Sequence, residues 1–182
     1  MPVTKTPPAV SVATLTHATP VGRLTLAATA DALLYCAYDA LDAAAARIAR
    51  ILPAADPVAQ TNPSPGQQAV LDSARSQLDA YLAGRRRAFQ LPFDLRLASA
   101  FTRLTVTALD TAVPYGTTST YGELARAIGR PRAARAVGSA LGANPLCVIL
   151  PCHRIVGASS RAGGYAGGPD AKAFLLGLER AG

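Results

Sequence analysis

Residues 120–141 constrain the fold more than any other part of this 182-residue chain. Thr120-Tyr121-Gly122-Glu123 has the form of a capping box, in which the Thr hydroxyl and the Glu carboxylate bind free amides at the start of a helix. We predict that this helix runs to about Ile128, because Gly129-Arg130-Pro131 breaks it. A second helix is predicted over residues 132–141. Two short helices joined by a tight turn indicate a helix-turn-helix.

The second helix of this motif has a smooth surface, on which Arg132 and Arg135 are the long side chains. A helix that reads the major groove needs long polar side chains to reach the base edges. The smooth helix therefore predicts docking in the minor groove or on the shape of the duplex, with one projecting arginine. Tight helix-helix packing is the alternative explanation. The small residues are Ala133, Ala134, Ala136, Gly138, Ser139 and Ala140.

The first half of the chain has a different pattern. A turn at Thr19-Pro20-Val21-Gly22-Arg23 and the apolar residues that follow predict a β-hairpin or meander. Helices are predicted over residues 40–52 and 67–82, with a proline-rich loop at 53–66 between them. Residues 1–16 are predicted to be a flexible tail. We place a domain boundary near Arg96, which gives an α/β domain over residues 1–96 and a mainly helical domain over residues 97–182.

The net charge of +7 lies mostly in the second half of the chain. Residues 98–182 contain nine Lys or Arg against four Asp or Glu, whereas residues 1–97 contain nine against seven. This distribution favours a polyanionic partner such as nucleic acid, and a solvated basic surface is the other explanation. Three cysteines without a disulfide spacing indicate a reducing, intracellular setting. We expect no membrane span, because the apolar runs are far shorter than the ~20 residues that crossing a bilayer needs.

A reactive thiol is the best candidate for the chemistry of this chain. Pro151-Cys152-His153-Arg154 follows the apolar run 146–150, which predicts a buried strand that ends at the thiol. A cationic or hydrogen-bonding neighbour lowers a cysteine pKa and raises the fraction of nucleophilic thiolate. An inert buried cysteine is the alternative, since a Cys-His pair alone is a weak signal. No metal site is expected, because the cysteines and histidines lack zinc-motif spacings.

Six separated motifs in the second half of the chain occur in a specific order. They are Tyr121, Ala134-Arg135-Ala136-Val137-Gly138, Asn144-Pro145, Pro151-Cys152-His153-Arg154, Gly163-Gly164-Tyr165-Ala166-Gly167-Gly168, and Lys172 with Leu175-Leu176 and Glu179. In this order and spacing the chain resembles the O6-alkylguanine-DNA alkyltransferases, also called methylated-DNA-protein-cysteine methyltransferases. The resemblance runs from about Tyr121 to Glu179, and it is looser in the N-terminal half.

The resemblance implies a role for each matching residue. Cys152 would accept the alkyl group from guanine O6, His153 would form the thiolate through a bridging water, and Glu179 would orient that histidine. Asn144 would link the helix-turn-helix to the active-site strand. Arg135 would enter the minor groove and fill the gap in the base stack, while Tyr121 would press on the phosphate that rotates as the nucleotide flips. The remaining implied positions are Arg132, Ala134 and Gly138 at the DNA, and Tyr121, Ile155, Gly163, Tyr165, Ala166 and Gly167 in the base pocket.

The resemblance also implies a fold and a function. The fold would be a ribonuclease-H-like α/β domain, with a small β-sheet and helices, followed by a mainly α, winged-helix-like domain with the helix-turn-helix. The protein would flip O6-alkylguanine, chiefly O6-methylguanine, from duplex DNA and transfer the alkyl group irreversibly to Cys152, with O4-methylthymine as a further candidate substrate. This single-turnover reaction would need no cofactor. We expect a cytoplasmic monomer, nucleoid-associated in a bacterium, and cooperative assembly on DNA stays open.

Two other functions stay open on the sequence alone. A non-catalytic alkyltransferase-like lesion-binding protein would keep the helix-turn-helix but lack the cysteine, and a cysteine hydrolase would use Cys152 in multiple turnovers. The chain departs from many relatives near Phe101, where Phe-Gln and Val-Trp are missing, and at Ala166, where many carry Ser. These departures bear on the packing of one helix and on base binding. Arg154 is expected to be structural, bridging the two domains through a carboxylate.

Overall fold

The computed structural model describes residues 10–52, 56–58, 62–158 and 164–182. Within these ranges the strands are β1 (Ser11–Thr19), β2 (Gly22–Ala28), β3 (Leu33–Ala37), β4 (Asp56–Val58), β5 (Ser119–Thr120) and β6 (Ile155–Val156). The helices are α1 (Leu41–Ile51), α2 (Pro65–Leu82), α3 (Ala100–Thr107), α4 (Leu109–Ala112), α5 (Tyr121–Ala127), α6 (Ala134–Gly142) and α7 (Gly168–Ala181), and a 3-10 helix covers Cys152–Arg154. Together they form the predicted α/β domain followed by a mainly helical domain.

The N-terminal domain is built on a sheet whose described strands run in the order β3-β2-β1-β4. β1, β2 and β3 pair antiparallel, and β4 lies parallel to β1 at the edge. The predicted hairpin is confirmed: Gly22 has a φ of 110°, which a residue without a side chain adopts at little cost. Helix α2 begins with a capping box at Ser64 and Gln67 and buries Leu71, Ala74 and Leu78.

Two predictions for this domain are wrong in part. The expected tail ran to Thr16, but Ser11–Thr19 is strand β1, which is held between β2 and β4 with Val12 and Ala13 buried. Its many threonines suit a strand as well as a loop, which is why the pattern was ambiguous. The predicted loop at 53–66 contains β4, whose Pro57 fits because β4 is an edge strand. Residues 1–9, 53–55 and 59–61 lie outside the described part of the chain.

The predicted helix-turn-helix is confirmed in the C-terminal domain. The Glu123 amide donates to the Thr120 hydroxyl at 3.2 Å, and the Thr120 amide donates to the Glu123 carboxylate at 2.7 Å. Gly129 ends the first helix with a φ of 70°. Helix α6 begins at Ala134, later than predicted. The residues before it form a turn, in which the Ala133 amide donates to the Arg130 carbonyl. Strands β5 and β6 pair parallel beside these helices.

Residues 100–112 form two helices, α3 and α4, which meet at Ala108. The Thr107 hydroxyl donates to the Arg103 carbonyl at 2.7 Å, and bonds of this kind bend helices. Two threonines of α3 are accommodated in the core. Thr102 and Thr105 are buried, and the Thr105 hydroxyl donates to the Phe101 carbonyl at 2.9 Å.

The segment before Cys152 is a turn, so the predicted buried strand at residues 146–150 is wrong. Leu146 makes one bridge to Cys36 of β3, after which the Leu150 amide donates to the Leu146 carbonyl at 2.8 Å. Val148 has a φ of 70°, which a β-branched residue rarely adopts. An apolar run buried on all sides looks the same in a strand and in a turn. The segment is fixed on β3, because the Cys147 amide donates to the Cys36 carbonyl at 2.6 Å.

No helix in the described part of the chain is long and apolar enough to cross a lipid bilayer.

Candidate active site

Cys152 is the first residue of the 3-10 helix, and it borders a cavity of about 330 Å³. The side chain is 7% exposed, so the thiol is reached through this cavity. Helix α6 forms one wall and the segment before α7 forms another. The lining residues are Tyr121, Gly138, Leu141, Gly142, Cys152, Gly164, Tyr165 and Ala166.

Asn144 lies buried between the end of α6 and the turn that carries Cys152. Its side-chain amide donates to the Leu150 carbonyl at 3.0 Å, and its side-chain oxygen accepts from the Leu146 amide at 3.0 Å. The helix-turn-helix and the thiol are therefore joined by two hydrogen bonds through one side chain.

His153 and Glu179 form a buried pair, with His153 Nε2 lying 2.5 Å from Glu179 Oε1. Burial lowers the pKa of His153 below its usual value, while the Glu179 carboxylate opposes this shift. The neutral imidazole then carries its proton on Nε2, where it is donated to the carboxylate. Among the described side chains, Nδ1 of His153 is a buried polar atom without a hydrogen-bond partner. Nδ1 is therefore the basic nitrogen of the site.

Among the described residues, four groups donate hydrogen bonds to Glu179. Besides His153, Arg154 Nε donates to Oε2 at 2.8 Å, the Gly116 amide donates to Oε2 at 3.1 Å, and the Tyr81 hydroxyl donates to Oε1. Burial acts to raise the pKa of Glu179, but the hydrogen bonds from His153, Tyr81 and Arg154 outweigh it and lower this pKa to about 2. The carboxylate is therefore ionised at neutral pH.

The pKa of the Cys152 thiol is lowered by its surroundings. A hydrogen bond from the Cys147 thiol is the largest cause, burial opposes it, and Asn144 and the positive charge of Lys172 act in the same direction as Cys147. The Cys147 sulfur also lies 3.7 Å from the Asn144 carbonyl, which is a second acceptor for its single proton. The same coupling, together with burial, raises the pKa of Cys147 well above the usual value. Cys152 is consequently the thiol that ionises first.

The predicted base-pocket residues fall into two groups. Tyr121, Tyr165 and Ala166 line the cavity, together with Gly138, whose missing Cβ would lie 3.7 Å from the Tyr121 ring. Ile155 and Gly167 are not among the lining residues, since Ile155 is fully buried and Gly167 faces Tyr38. The prediction for Gly163 lies outside the described residues. Ile155 supports the site through its carbonyl, which accepts from Lys172 Nζ at 2.6 Å.

The predicted DNA-contacting residues lie on or beside α6. Arg132 and Arg135 are exposed, and Ala134 is half-buried at the start of the helix. Arg135 is three residues before Gly138, so the two positions lie on the same face of α6. Gly138 lines the cavity, and the exposed Arg135 precedes it by about one turn of the helix.

Two tyrosines of the N-terminal domain reach the site, and the sequence analysis missed both. Tyr81 of α2 binds Glu179, and the Tyr38 hydroxyl lies 3.3 Å from that of Tyr165. A Cβ atom added at Gly167 would collide with the Tyr38 ring, so glycine is needed there. The available signal was the position of Tyr81 on the buried face of its helix, because a buried tyrosine hydroxyl usually has a partner.

Arg154 is buried and binds a carboxylate, as predicted. The carboxylate is that of Glu179, and Arg154 also binds the Val113 carbonyl at 2.9 Å and lies 3.7 Å from Asp110, all in the C-terminal half. The link to the N-terminal domain runs through Tyr81, which donates to the same carboxylate and whose pKa Arg154 acts to lower.

The described residues contain no group of three or more His, Cys, Asp or Glu side chains that could hold a metal ion.

The fold and the site define a two-domain protein in which a helix-turn-helix lies against a buried Cys-His-Glu constellation. Residues 13–95 match the family model described as the ribonuclease-like domain of 6-O-methylguanine DNA methyltransferase. Residues 100–181 match the model of its DNA binding domain. The chain therefore belongs to the 6-O-methylguanine DNA methyltransferase family.

Individual relatives agree with this assignment. A methylated-DNA-protein-cysteine methyltransferase of Mycolicibacterium paratuberculosis is 52% identical over 107 residues, which are 59% of this chain and 64% of the relative. The constitutive enzyme of that name from Bacillus subtilis is 42% identical over 111 residues, which are 60% of this chain and 66% of the relative. These alignments span just under two thirds of each relative.

Solved structures cover more of the chain. The Mycobacterium tuberculosis O6-methylguanine methyltransferase has a TM-score of 0.75 at 38% identity and covers 93% of both chains. The structure of Mycobacterium tuberculosis OGT in complex with DNA has a TM-score of 0.71 at 38% identity and covers 94% of both chains.

Proposed function

We propose that this protein repairs O6-alkylguanine in duplex DNA by transferring the alkyl group to its own Cys152. The observation that carries the proposal is the position of Cys152, which borders a cavity whose wall includes the helix-turn-helix. The next residue is His153, which is paired with Glu179. A thiol buried in this way has access to a single small group that enters the cavity. A base that leaves the duplex and enters from the side of α6 would bring its O6 substituent to this thiol.

Proton transfer from the thiol starts the proposed reaction. His153 Nδ1 accepts the Cys152 proton through a bridging water, and the resulting imidazolium is stabilised by Glu179, which is 2.5 Å from Nε2. Because Glu179 is ionised at neutral pH, it holds the imidazole in the tautomer that leaves Nδ1 basic. The neutral thiol thus becomes the soft nucleophile that attack on a methyl carbon needs.

Alkyl transfer is a single displacement. The Cys152 sulfur forms a bond to the alkyl carbon with its lone pair, the bond from that carbon to guanine O6 breaks, and the electron pair stays on the guanine. The base then takes up one proton and is restored. Burial raises the pKa of the Tyr121 hydroxyl, so this group at the cavity stays protonated and can donate to the leaving guanine. The thioether has no return path, which makes the reaction single-turnover and independent of a cofactor.

Base flipping explains the remaining residues of the site. Guanine O6 faces its pairing partner inside the duplex, so the nucleotide has to rotate out before the thiol can reach it. Arg135, exposed three residues before Gly138 on α6, would fill the gap from the minor groove, and Tyr121 would press on the rotating phosphate. Arg132 lies in the turn before α6 and Ala134 begins this helix, where contact with the DNA backbone suits their positions.

We propose that the substituent on guanine is small. Ala166 offers no hydroxyl to the base, so backbone amides of residues 164–166 would carry the polar contacts. O6-methylguanine is thus the main proposed substrate, with O4-methylthymine second.

We further propose a domain boundary between residues 96 and 97, a monomer that can assemble cooperatively on DNA, and a cytoplasmic location, on the nucleoid in a bacterium.

A stoichiometry experiment tests this function. Purified protein is mixed with duplex DNA that carries one O6-methylguanine, and the lesions removed are counted against protein molecules. We expect one lesion per chain and no repair by Cys152→Ala, which should still bind the duplex. A non-catalytic lesion-binding protein would bind and remove none, and a cysteine hydrolase would turn over an ester many times. Either result would refute the proposal.

A further inference from the structure

The buried tyrosine of α2 is the one side chain of the N-terminal domain found hydrogen bonded to Glu179 among the described residues. Tyr81 is 1% exposed, and its hydroxyl donates to Glu179 Oε1. This is the oxygen that lies 2.5 Å from His153 Nε2. One carboxylate oxygen is therefore shared between the imidazole of the active site and a hydroxyl from the other domain, 98 residues away in sequence.

The Tyr81 ring is held in a fixed position. It packs on Phe89 with ring centres 4.8 Å apart and meets the edge of Tyr115 with centres 6.0 Å apart. Helix α2 is 18 residues long and is capped at its start, so its backbone is a rigid base for the side chain. A hydroxyl held in this way defines where Oε1 lies.

The charge of a carboxylate is divided among its donors. Each hydrogen bond to Oε1 lowers the basicity that the oxygen presents to the next donor. The groups that face the His153-Glu179 pair are Arg154 on the 3-10 helix, Tyr81 on α2, Lys172 on α7, and Cys152 and Tyr165 beside the imidazole. Of these, Tyr81 is the neutral group that shares Oε1 with His153.

We propose that Tyr81 is a positioning residue for alkyl transfer: its hydroxyl fixes Glu179 Oε1 and limits its basicity, so that His153 stays neutral and keeps Nδ1 available for the thiol proton. This inference rests on the proposed function. It gives the N-terminal domain a direct part in the reaction in addition to supporting the Cys152 turn through Cys36. If Tyr81 only packed in the core, its ring would be enough and its hydroxyl would not matter. Removing the hydroxyl alone therefore distinguishes a packing role from a positioning role.

Tyr81→Phe removes the hydroxyl and keeps the ring. Without this donor, Oε1 holds more charge toward His153 and stabilises the imidazolium, so the pKa of His153 rises. We expect a rise of about one unit, the size that the loss of one hydrogen bond to a charged group allows. Tyr115→Phe is the matched control, because this neighbouring tyrosine contacts the Tyr81 ring and is not among the described donors to Glu179.

Histidine NMR measures this shift without any assay of activity. The chain has two histidines, so His17→Gln identifies the resonances of His153. The His153 titration should move to higher pH in Tyr81→Phe and stay in place in Tyr115→Phe. An unchanged His153 titration in Tyr81→Phe overturns the inference.

The pH dependence of single-turnover methyl transfer gives the second readout. The acid limb of the rate–pH profile of Tyr81→Phe should move to higher pH by about one unit, as the His153 titration does. At a pH on that limb, the variant is then about tenfold slower than the wild type. A purely structural defect would lower the rate at every pH and leave the midpoint in place. If the wild-type protein transfers no methyl group, the proposed function fails; if it does and the midpoint does not move, only the role of Tyr81 fails.

A variant that strengthens the bond covers the case in which Tyr81→Phe does not fold. Tyr81→3-fluorotyrosine keeps the hydroxyl and makes it a more acidic donor. The His153 titration and the acid limb should then both move to lower pH. A shift in the opposite direction, or no shift, contradicts the proposed role.

Discussion

The side-chain amide of Asn144 donates to the Leu150 carbonyl at 3.0 Å, which closes the turn in which Val148 has a φ of 70°. The side-chain oxygen of the same residue accepts from the Leu146 amide. A turn with a β-branched residue in the left-handed region is held by such surrounding bonds. The position of the Cys152 thiol therefore depends on one buried amide at the end of α6.

Asn144→Ala should both destabilise the protein and slow methyl transfer. It leaves the buried Leu146 amide without its partner and removes one of the two hydrogen bonds to the Leu150 carbonyl, which keeps the bond from the Cys152 amide, so we expect the free energy of unfolding to fall by about 2 kcal/mol. Transfer should slow by about tenfold or more, because the thiol is no longer held in place. Urea denaturation and single-turnover kinetics measure the two effects. Asn62→Ala, at an exposed asparagine, is the control, and equal behaviour of the two variants would refute the role of Asn144.

Tyr38 is expected to hold the base pocket closed from the N-terminal domain. Its ring meets the edge of the Tyr165 ring with centres 5.5 Å apart and lies against Gly167. Tyr38→Ala removes this support, so transfer from methylated duplex should slow by about tenfold. Tyr38→Phe keeps the ring and loses a hydroxyl contact of 3.3 Å, so its loss should be about threefold or less. Single-turnover rates that are equal for the two variants would contradict this account.

Arg135→Ala should affect duplex DNA and a free base differently. If Arg135 stabilises the flipped state, its loss slows repair of a duplex lesion by about tenfold or more. Reaction with free O6-benzylguanine, which needs no flipping, should change by about twofold or less. Arg103→Ala, at an exposed arginine of α3, is the control for charge. A loss of equal size on both substrates would show that Arg135 acts in the pocket and not on the duplex.

Acid should unfold the protein in part through Glu179. Its pKa is about 2 when folded and near 4.5 when exposed, so the unfolded chain binds the proton first as the pH falls. The stabilisation is complete above about pH 4.5 and is lost toward about pH 2, and a shift of this size corresponds to about 3 kcal/mol. The pKa of His153 is also lowered in the folded protein, so further stability is lost as the pH falls below about 6.5.

Glu179→Gln should remove most of the slope of the unfolding free energy between about pH 4.5 and about pH 2. The variant should also be less stable than the wild type at neutral pH, because Arg154 loses its charged partner. Urea denaturation at a series of pH values measures both. Asp31→Asn, at an exposed carboxyl, is the control. A wild-type slope in Glu179→Gln would mean that another carboxyl drives acid unfolding.

Local signals predicted the helix-turn-helix and much of the site. The capping box at Thr120 and Glu123 and the break at Gly129 depend on neighbouring residues, so they can be identified from the sequence. The order of motifs from Tyr121 to Glu179 supplied the candidate residues. Cys152, His153 and Glu179 are brought together because α7 returns to the 3-10 helix.

Features that depend on distant contacts were not predictable in this way. The run at residues 146–150 is apolar because it is buried beside Cys36, and burial gives no signal that separates a turn from a strand. Tyr81 and Tyr38 reach the site from 98 and 127 residues away, and nothing near either one specifies its partner. Arg154 was assigned to a carboxylate correctly, but the domain of that carboxylate depends on the tertiary fold.

Peptide mass spectrometry after reaction with methylated duplex tests the central claim most directly. The protein is incubated with DNA that carries O6-methylguanine, digested with a protease, and the peptides with Cys36, Cys147 and Cys152 are compared. The account predicts one added methylene on the Cys152 peptide, in step with loss of the lesion, and none on the other two. An unmodified Cys152 with the lesion intact, or a methyl group on Cys147, would contradict it.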